Sequence, residues 1–234
     1  MLTAPQNLPL RLNEIHRRIA AAAAAAGRDP LRITLIAVSK THPAEAIRAA
    51  AAAGARDFGE NYVQEAADKV DALRDLGATW HFIGALQSNK TRPVAERFDW
   101  VHTVDRLKIA ERLSAQRPRF ATALNLCLQV HLGDEPSKAG ATPDELPALA
   151  AAVEALPRVR LRGLMCIPPE ETDPDRQRHW FRQLRDLRDQ LVARGHELDT
   201  LSMGMSGDFE AAIAEGATHV RIGTAIFGPR ERNL

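Results

Sequence analysis

The chain has 234 residues and is sparing with several residue types, and each scarcity removes a class of function. It has two cysteines, Cys127 and Cys166, both inside apolar runs that read as strands. With no CxxC pair and no Cys/His cluster, the sequence writes no zinc-type metal site, and two reduced, buried thiols are expected in preference to a disulfide. No charge of one sign dominates: 31 Lys+Arg against 30 Asp+Glu leave a net +1, which advertises no surface for nucleic acid. No stretch is long and apolar enough to span a membrane. The alanine run after Arg17-Arg18 looks at first like a signal-peptide core. However, Asn13 and Glu14 lie just upstream, and Leu8, Leu10, Leu12, Ile15 and Ile19 form a periodic apolar set. The segment therefore reads as an amphipathic helix over about residues 8–26 stopped by Gly27, and a cytoplasmic location is expected.

What is present is a regular alternation. Apolar residues make up 45% of the chain, enough for a sizeable core. Strand-like runs are expected at Ile33–Lys40, Ala55–Glu60, Thr79–Gly84, Trp100–Val104, Leu124–His131, Arg160–Ile167, Leu198–Met203 and His219–Phe227. Helical patterns separate them: Pro43–Ala53, Asn61–Leu76, Ser88–Arg97, a stretch capped by Asp105 and ending near Arg117, Thr142–Leu156, Pro174–Arg194 and Asp208–Glu215. Eight strands each followed by one helix give the α/β pattern of a single (β/α)8 TIM barrel. A doubly wound open sheet is the alternative, because strand order is invisible in sequence. No linker, repeat or composition break divides residues 1–234, so one domain is expected.

In such barrels chemistry gathers at the C-terminal ends of the strands. Among five lysines, only Lys40 ends an apolar strand. A lysine there either snorkels out of the rim or, partly desolvated, offers its amine for attack on a carbonyl; position alone does not decide. Met203-Gly204-Met205-Ser206-Gly207-Asp208 runs from strand seven into a helix. Its glycines expose backbone N–H groups and Ser206 adds a hydroxyl, which is a site for a phosphate or, more plainly, a capped βα turn. Gly223-Thr224 would close its other side. Arg221 lies inside strand eight and must meet either a carboxylate or a ligand atom, because it cannot shed its charge. Asn61 and His81 pose the same question, and a lone histidine such as His81 is more often a satisfied core residue than a catalyst.

Taken together, the segments AVSKTHP (37–43), FGENYVQE (58–65), WHFIGALQSNK (80–90), SKAG (137–140), GLMCIPP (163–169), LSMGMSGDFEAAI (201–213) and VRIGTAIFGPR (220–230) resemble the pyridoxal phosphate homeostasis protein family. That resemblance implies a barrel like the N-terminal domain of alanine racemase and pyridoxal 5′-phosphate (PLP) as cofactor. It further implies Lys40 as the Schiff-base lysine, Asn61 beside the cofactor, Ile83 and Met165 lining the ring pocket, Ser206, Gly223 and Thr224 at the phosphate, and Arg221 facing the pyridine nitrogen. Two positions depart from the family pattern: Ala85, where proline is common, and Cys166, where a small residue is usual; Cys166 is expected to pack, with a reactive thiol near the pocket as the alternative.

The resemblance also bears on activity. An arginine beside the ring nitrogen weakens the cofactor as an electron sink. A two-base racemase needs a second acid/base on the ring face opposite the lysine, which in alanine racemases is a tyrosine from another domain of the partner subunit. The single tyrosine here, Tyr62, falls beside Asn61 in the expected first turn of a helix. The implied function is therefore PLP binding in vitamin B6 homeostasis, without substantial catalysis, by a monomer that hands PLP to apo-PLP enzymes. A monomeric PLP-dependent amino-acid racemase is the first alternative, and a cofactor-free Schiff-base aldolase is the second.

Overall fold

The computed structural model describes residues 7–133 and 139–228. Residues 137–138 of the SKAG segment and 229–230 of VRIGTAIFGPR lie outside them. Eight parallel strands close on themselves in chain order: β1 Thr34–Val38, β2 Asp57–Glu60, β3 Thr79–Phe82, β4 Trp100–Val104, β5 Leu124–Gln129, β6 Val159–Met165, β7 Thr200–Ser202 and β8 His219–Ile222. The closing pair is β1 with β8, in which Ile36 stands opposite Arg221. This is the (β/α)8 barrel and not the open sheet.

The helices are α1 Leu8–Ala25, α2 Ala44–Ala52, α3 Val63–Ala72, α4 Thr91–Arg97, α5 Leu107–Gln116, α6 Leu146–Glu154, α7 Pro174–Ala193, α8 Phe209–Ala214 and α9 Thr224–Phe227. In α1, Leu8, Leu12, Ile15, Ile19 and Ala23 are buried at helical spacing, and the stripe packs on α8, α9 and α2. With α9 only four residues long, α1 covers the seam where the barrel closes.

Several boundaries differ from the sequence expectation for physical reasons. β1 stops at Val38: the Ser39 amide still reaches the Gly59 carbonyl, but Thr41 then turns the chain out at φ 66°, so Lys40 sits in a turn just beyond the strand. β8 stops at Ile222, because the Gly223 carbonyl accepts the Ile226 and Phe227 amides and winds the following residues into α9. Asn61 and Tyr62 precede α3 in place of forming its first turn; Tyr62 is extended at φ −115°. α6 starts at Leu146, after a turn in which Glu145 accepts the Thr142 amide (2.8 Å) and hydroxyl (2.9 Å) and donates its own amide to the Thr142 carbonyl (3.1 Å). Asp105 pairs with the Arg106 guanidinium at 2.7 Å and does not cap α5.

The main apolar core lies between the strands and the surrounding helices, with Phe58, Phe82, Phe98, Phe181 and Phe209 fully buried. A separate small cluster of Trp100, Cys127 and Met165 lies apart from it. The buried polar side chains on the strands include His81, His102, Ser202, His219 and Arg221. Barrel interiors are ordinarily layers of branched aliphatic residues, so this polar filling calls for a reason.

Candidate functional site

Lys40 is half-buried at the C-terminal mouth, and the residues on both sides of it are clamped. The Ser39 hydroxyl donates to Glu60 Oε1 at 2.7 Å. Lys69 Nζ donates to the Ser39 carbonyl at 2.8 Å, to Glu60 Oε1 at 3.0 Å and to Glu65 Oε1 at 2.5 Å. Glu65 also accepts the Thr41 amide at 2.6 Å. One buried ammonium and two carboxylates thus fix the peptide units flanking Lys40. They also hold Thr41 in the left-handed region, which a β-branched residue rarely enters unaided. Burial raises the Glu60 carboxyl above the usual range, against the opposing pull of Lys69 and Ser39. The loop is tied to α9 by stacking of the His42 and Phe227 rings, centroids 5.0 Å apart.

Beside this loop, Asn61 leaves β2 and Ile83 leaves β3. The two connections meet backbone to backbone: a Cβ added to Gly84 would overlap the Asn61 carbonyl oxygen. Ile83 is buried over Gly59, whose missing side chain makes room for it. Asn61 Oδ1 is buried without a hydrogen-bond partner among the described residues. A cavity of about 470 Å³ opens beside it, lined by Asn61, Tyr62, Ala85, Gln87 and Lys90 among others.

Across the mouth, Gly204 takes φ 95°, and an added Cβ there would press on Ala212 and Phe209. The next residues form a turn in which Asp208 accepts the Met205 amide at 2.5 Å and the Met205 carbonyl accepts the Phe209 amide at 3.0 Å. The Ser206 and Gly207 amides donate to no acceptor among the described residues, and nothing lies within 4 Å of a Cβ built on Gly207. Ser206 was expected beside a helix N-terminus; α8 begins three residues later, so the donors are those of the turn itself. Gly223 lies against the Val38 carbonyl, 3.3 Å from a built Cβ, and Thr224 is exposed at the start of α9.

Arg221 is buried between these elements. Its backbone amide donates to the Gly204 carbonyl (3.0 Å), Nη1 to Ser202 Oγ (2.7 Å) and Nη2 to the Cys166 carbonyl (2.8 Å). Burial lowers its pKa, yet a guanidinium stays charged under any physiological condition. Met165 is fully buried in contact with Trp100 and Cys127. Both cysteines are unpaired, and burial pushes both thiols up to about 12, so Cys166 is a packing residue and a poor nucleophile.

The fold therefore gathers Lys40, Asn61, Ile83, Ser206, Gly223 and Thr224 at the ends of β1, β2, β3, β7 and β8, with Met165 the last residue of β6 and Arg221 inside β8. His81 is a satisfied interior residue, bonded at both ring nitrogens. Sequence reasoning missed the Lys69–Glu60–Glu65 clamp and the interior partners His102 and Ser202. The one signal was Glu65 and Lys69 at i,i+4, a spacing that solvated helix faces also show.

Residues 10–231 match the family of the alanine racemase N-terminal domain. A pyridoxal phosphate homeostasis protein of Pseudomonas aeruginosa is 60% identical over 218 residues, covering 93% of this chain and 94% of that protein. One from Escherichia coli K12 is 56% identical over 223 residues, covering 94% and 95%. Among solved structures, PipY of Synechococcus elongatus with PLP bound superposes with TM-score 0.81 at 44% identity, covering 92% of this chain and all of that one. Alanine racemase of Corynebacterium glutamicum, at 20% identity and TM-score 0.66, shares the barrel over 62% of its own length.

Proposed function

The chain belongs to the pyridoxal phosphate homeostasis proteins, built on the alanine racemase N-terminal domain, and we propose that it binds PLP through Lys40 and serves as a reversible holder of that cofactor. The observation that carries this reading is a lysine held between two clamped neighbours at the barrel mouth, where β7 ends in a turn whose Ser206 and Gly207 amides meet no acceptor among the described residues and Arg221 is buried. The residues fit the group: Asn61 Oδ1 is a buried acceptor awaiting a donor, and the Gly204–Asp208 turn offers amides and a hydroxyl to a phosphate dianion.

In this reading Lys40 Nζ condenses with the cofactor aldehyde and water leaves. Ser206, with Gly223 and Thr224, holds the phosphate. Asn61 flanks the ring, Ile83 and Met165 wall it, and Arg221 meets the ring nitrogen as a permanent donor. When bound, PLP supplies an electron sink for amino-acid carbanions, and a donor that never gives up its proton keeps that sink weak. Tyr62, half exposed in an extended segment ahead of α3, is a poor candidate for a base over the opposite ring face. Both features favour a holder over a racemase, with apo-PLP enzymes as the acceptors and a cytoplasmic monomer as the working form.

The test is a PLP titration of the wild type and Lys40→Ala, followed by incubation of the loaded protein with an apo-PLP enzyme. Saturable visible absorption in the wild type, its absence in K40A and activation of the apoenzyme are expected. Steady conversion of an L-amino acid to its D form, lost in K40A, would contradict the holder reading in favour of a racemase.

A further inference from the structure

Five side chains form a continuous hydrogen-bonded chain down the barrel interior. Arg221 Nη1 donates to Ser202 Oγ at 2.7 Å, Ser202 Oγ meets His102 Nδ1 at 2.8 Å, His102 Nε2 meets His81 Nδ1 at 2.9 Å, and His81 Nε2 meets Asp57 Oδ1 at 3.0 Å. His81, His102 and Ser202 are completely buried, Arg221 nearly so, and the Asp57 side chain is 25% exposed at the start of β2.

Both ends force one polarity. A guanidinium only donates, so Ser202 Oγ is an acceptor for Arg221, and its single proton is left for His102 Nδ1. An ionised Asp57 only accepts, so His81 Nε2 carries the proton, and a neutral His81 then accepts at Nδ1 from His102 Nε2–H. The two constraints agree at His102, which is a neutral ring with its proton on Nε2. Burial above all, with the charge of Arg221 acting in the same direction, holds His102 well below the usual imidazole range. The chain is not a proton conduit, because its upper terminus cannot release a proton.

We propose that Asp57, His81, His102 and Ser202 are positioning residues for Arg221: a chain of neutral donors of one polarity, anchored on a carboxylate, that fixes which guanidinium N–H groups remain for the cofactor ring. This rests on the binding reading above. The chain supplies Arg221 with a polarised acceptor at Nη1, while the Cys166 carbonyl holds Nη2, so the side chain has one orientation. No carboxylate hydrogen-bonds to Arg221 among the described residues; Asp208 acts on its charge at longer range, and the Asp57 carboxylate ends the chain.

Long-range ¹H–¹⁵N spectra of the histidine side chains in the cofactor-free protein near neutral pH test the polarity, with His81→Asn and His102→Asn giving the assignments. Both rings are expected neutral with the proton on Nε2. An imidazolium at His81, or a proton on Nδ1 of His102, reverses part of the chain and overturns the proposal. Ser202→Ala and Ser202→Thr, both checked for a cooperative thermal transition, test the positioning. S202A is expected to shift the visible band of bound PLP and to weaken binding roughly 10-fold or more, while S202T, which keeps the hydroxyl, restores both. An S202A protein that melts earlier but binds PLP with wild-type affinity and spectrum would make Ser202 merely structural and refute the role. Absence of any visible band in the wild type would instead sink the binding reading, and this role with it, while the tautomers would still decide the chain.

Discussion

Acid sensitivity should be dominated by histidines that the barrel buries uncharged, and His219 permits a worked value. Its ring lies 5.0 Å from Trp100 and 6.0 Å from both His81 and His102, with Nδ1 at 2.9 Å from the Thr218 hydroxyl. Burial, then His81 and Arg162, with Arg221 adding to them and Asp199 opposing, depress its pKa from 6.5 to about 3. The sign follows from linkage: between those values the unfolded chain binds a proton that the folded protein refuses, so stability falls as pH drops below 6.5. At about pH 4.5 the gap is roughly two pH units, and at about 1.36 kcal/mol per unit His219 alone removes about 2.7 kcal/mol relative to neutral pH. His102 acts in the same direction. Glu60 and Asp208, whose carboxyls burial raises, act in the opposite one. Comparing the wild type with His219→Met in urea unfolding at about pH 7.5 and pH 4.5 cancels those shared contributions. The wild type should lose about 2.7 kcal/mol more than H219M across that interval. Parallel losses in the two proteins would show that His219 is not held neutral, and would refute the reasoning.

Lys69→Met leaves the Glu60 carboxylate buried beside Ser39 alone. Urea unfolding at neutral pH should show a cost of about 3–5 kcal/mol, partly regained on acidification as Glu60 takes up a proton in the folded state; an unchanged midpoint would mean the clamp is energetically idle. Gly84→Ala drives a Cβ into the Asn61 carbonyl and displaces Asn61, so PLP titration should show affinity reduced roughly 10-fold or more. A thiol reagent should modify neither Cys127 nor Cys166 until denaturant is added, because burial keeps both as thiols; rapid reaction of the native protein would contradict their placement.

The alternation of strand and helix was legible in the sequence because each segment carries its own periodicity, and the position of Lys40 at the barrel mouth was legible because a lysine closing an apolar run is conspicuous when lysines are few. What the sequence hid depends on tertiary register. Ser202 and His102 are 100 positions apart and become neighbours only when the sheet closes. Residues 224–227 read as strand from their β-branched and aromatic content, yet the Gly223 carbonyl turns them into α9. Lys69 and Glu65 look like a solvated i,i+4 pair until Glu60 arrives from β2 and draws the Lys69 ammonium inward. The turn holding Ser206 was found by its glycines, but its donors come from turn amides, with Asp208 shaping the turn.

Borohydride reduction of the PLP-loaded protein followed by peptide mapping tests the role of Lys40 most directly. The visible absorption should disappear, and a single phosphopyridoxyl group should be found on the peptide containing Lys40. A colourless protein, or a label on Lys69, Lys90, Lys108 or Lys138 with Lys40 unmodified, would contradict the assignment of Lys40 as the residue that holds the cofactor.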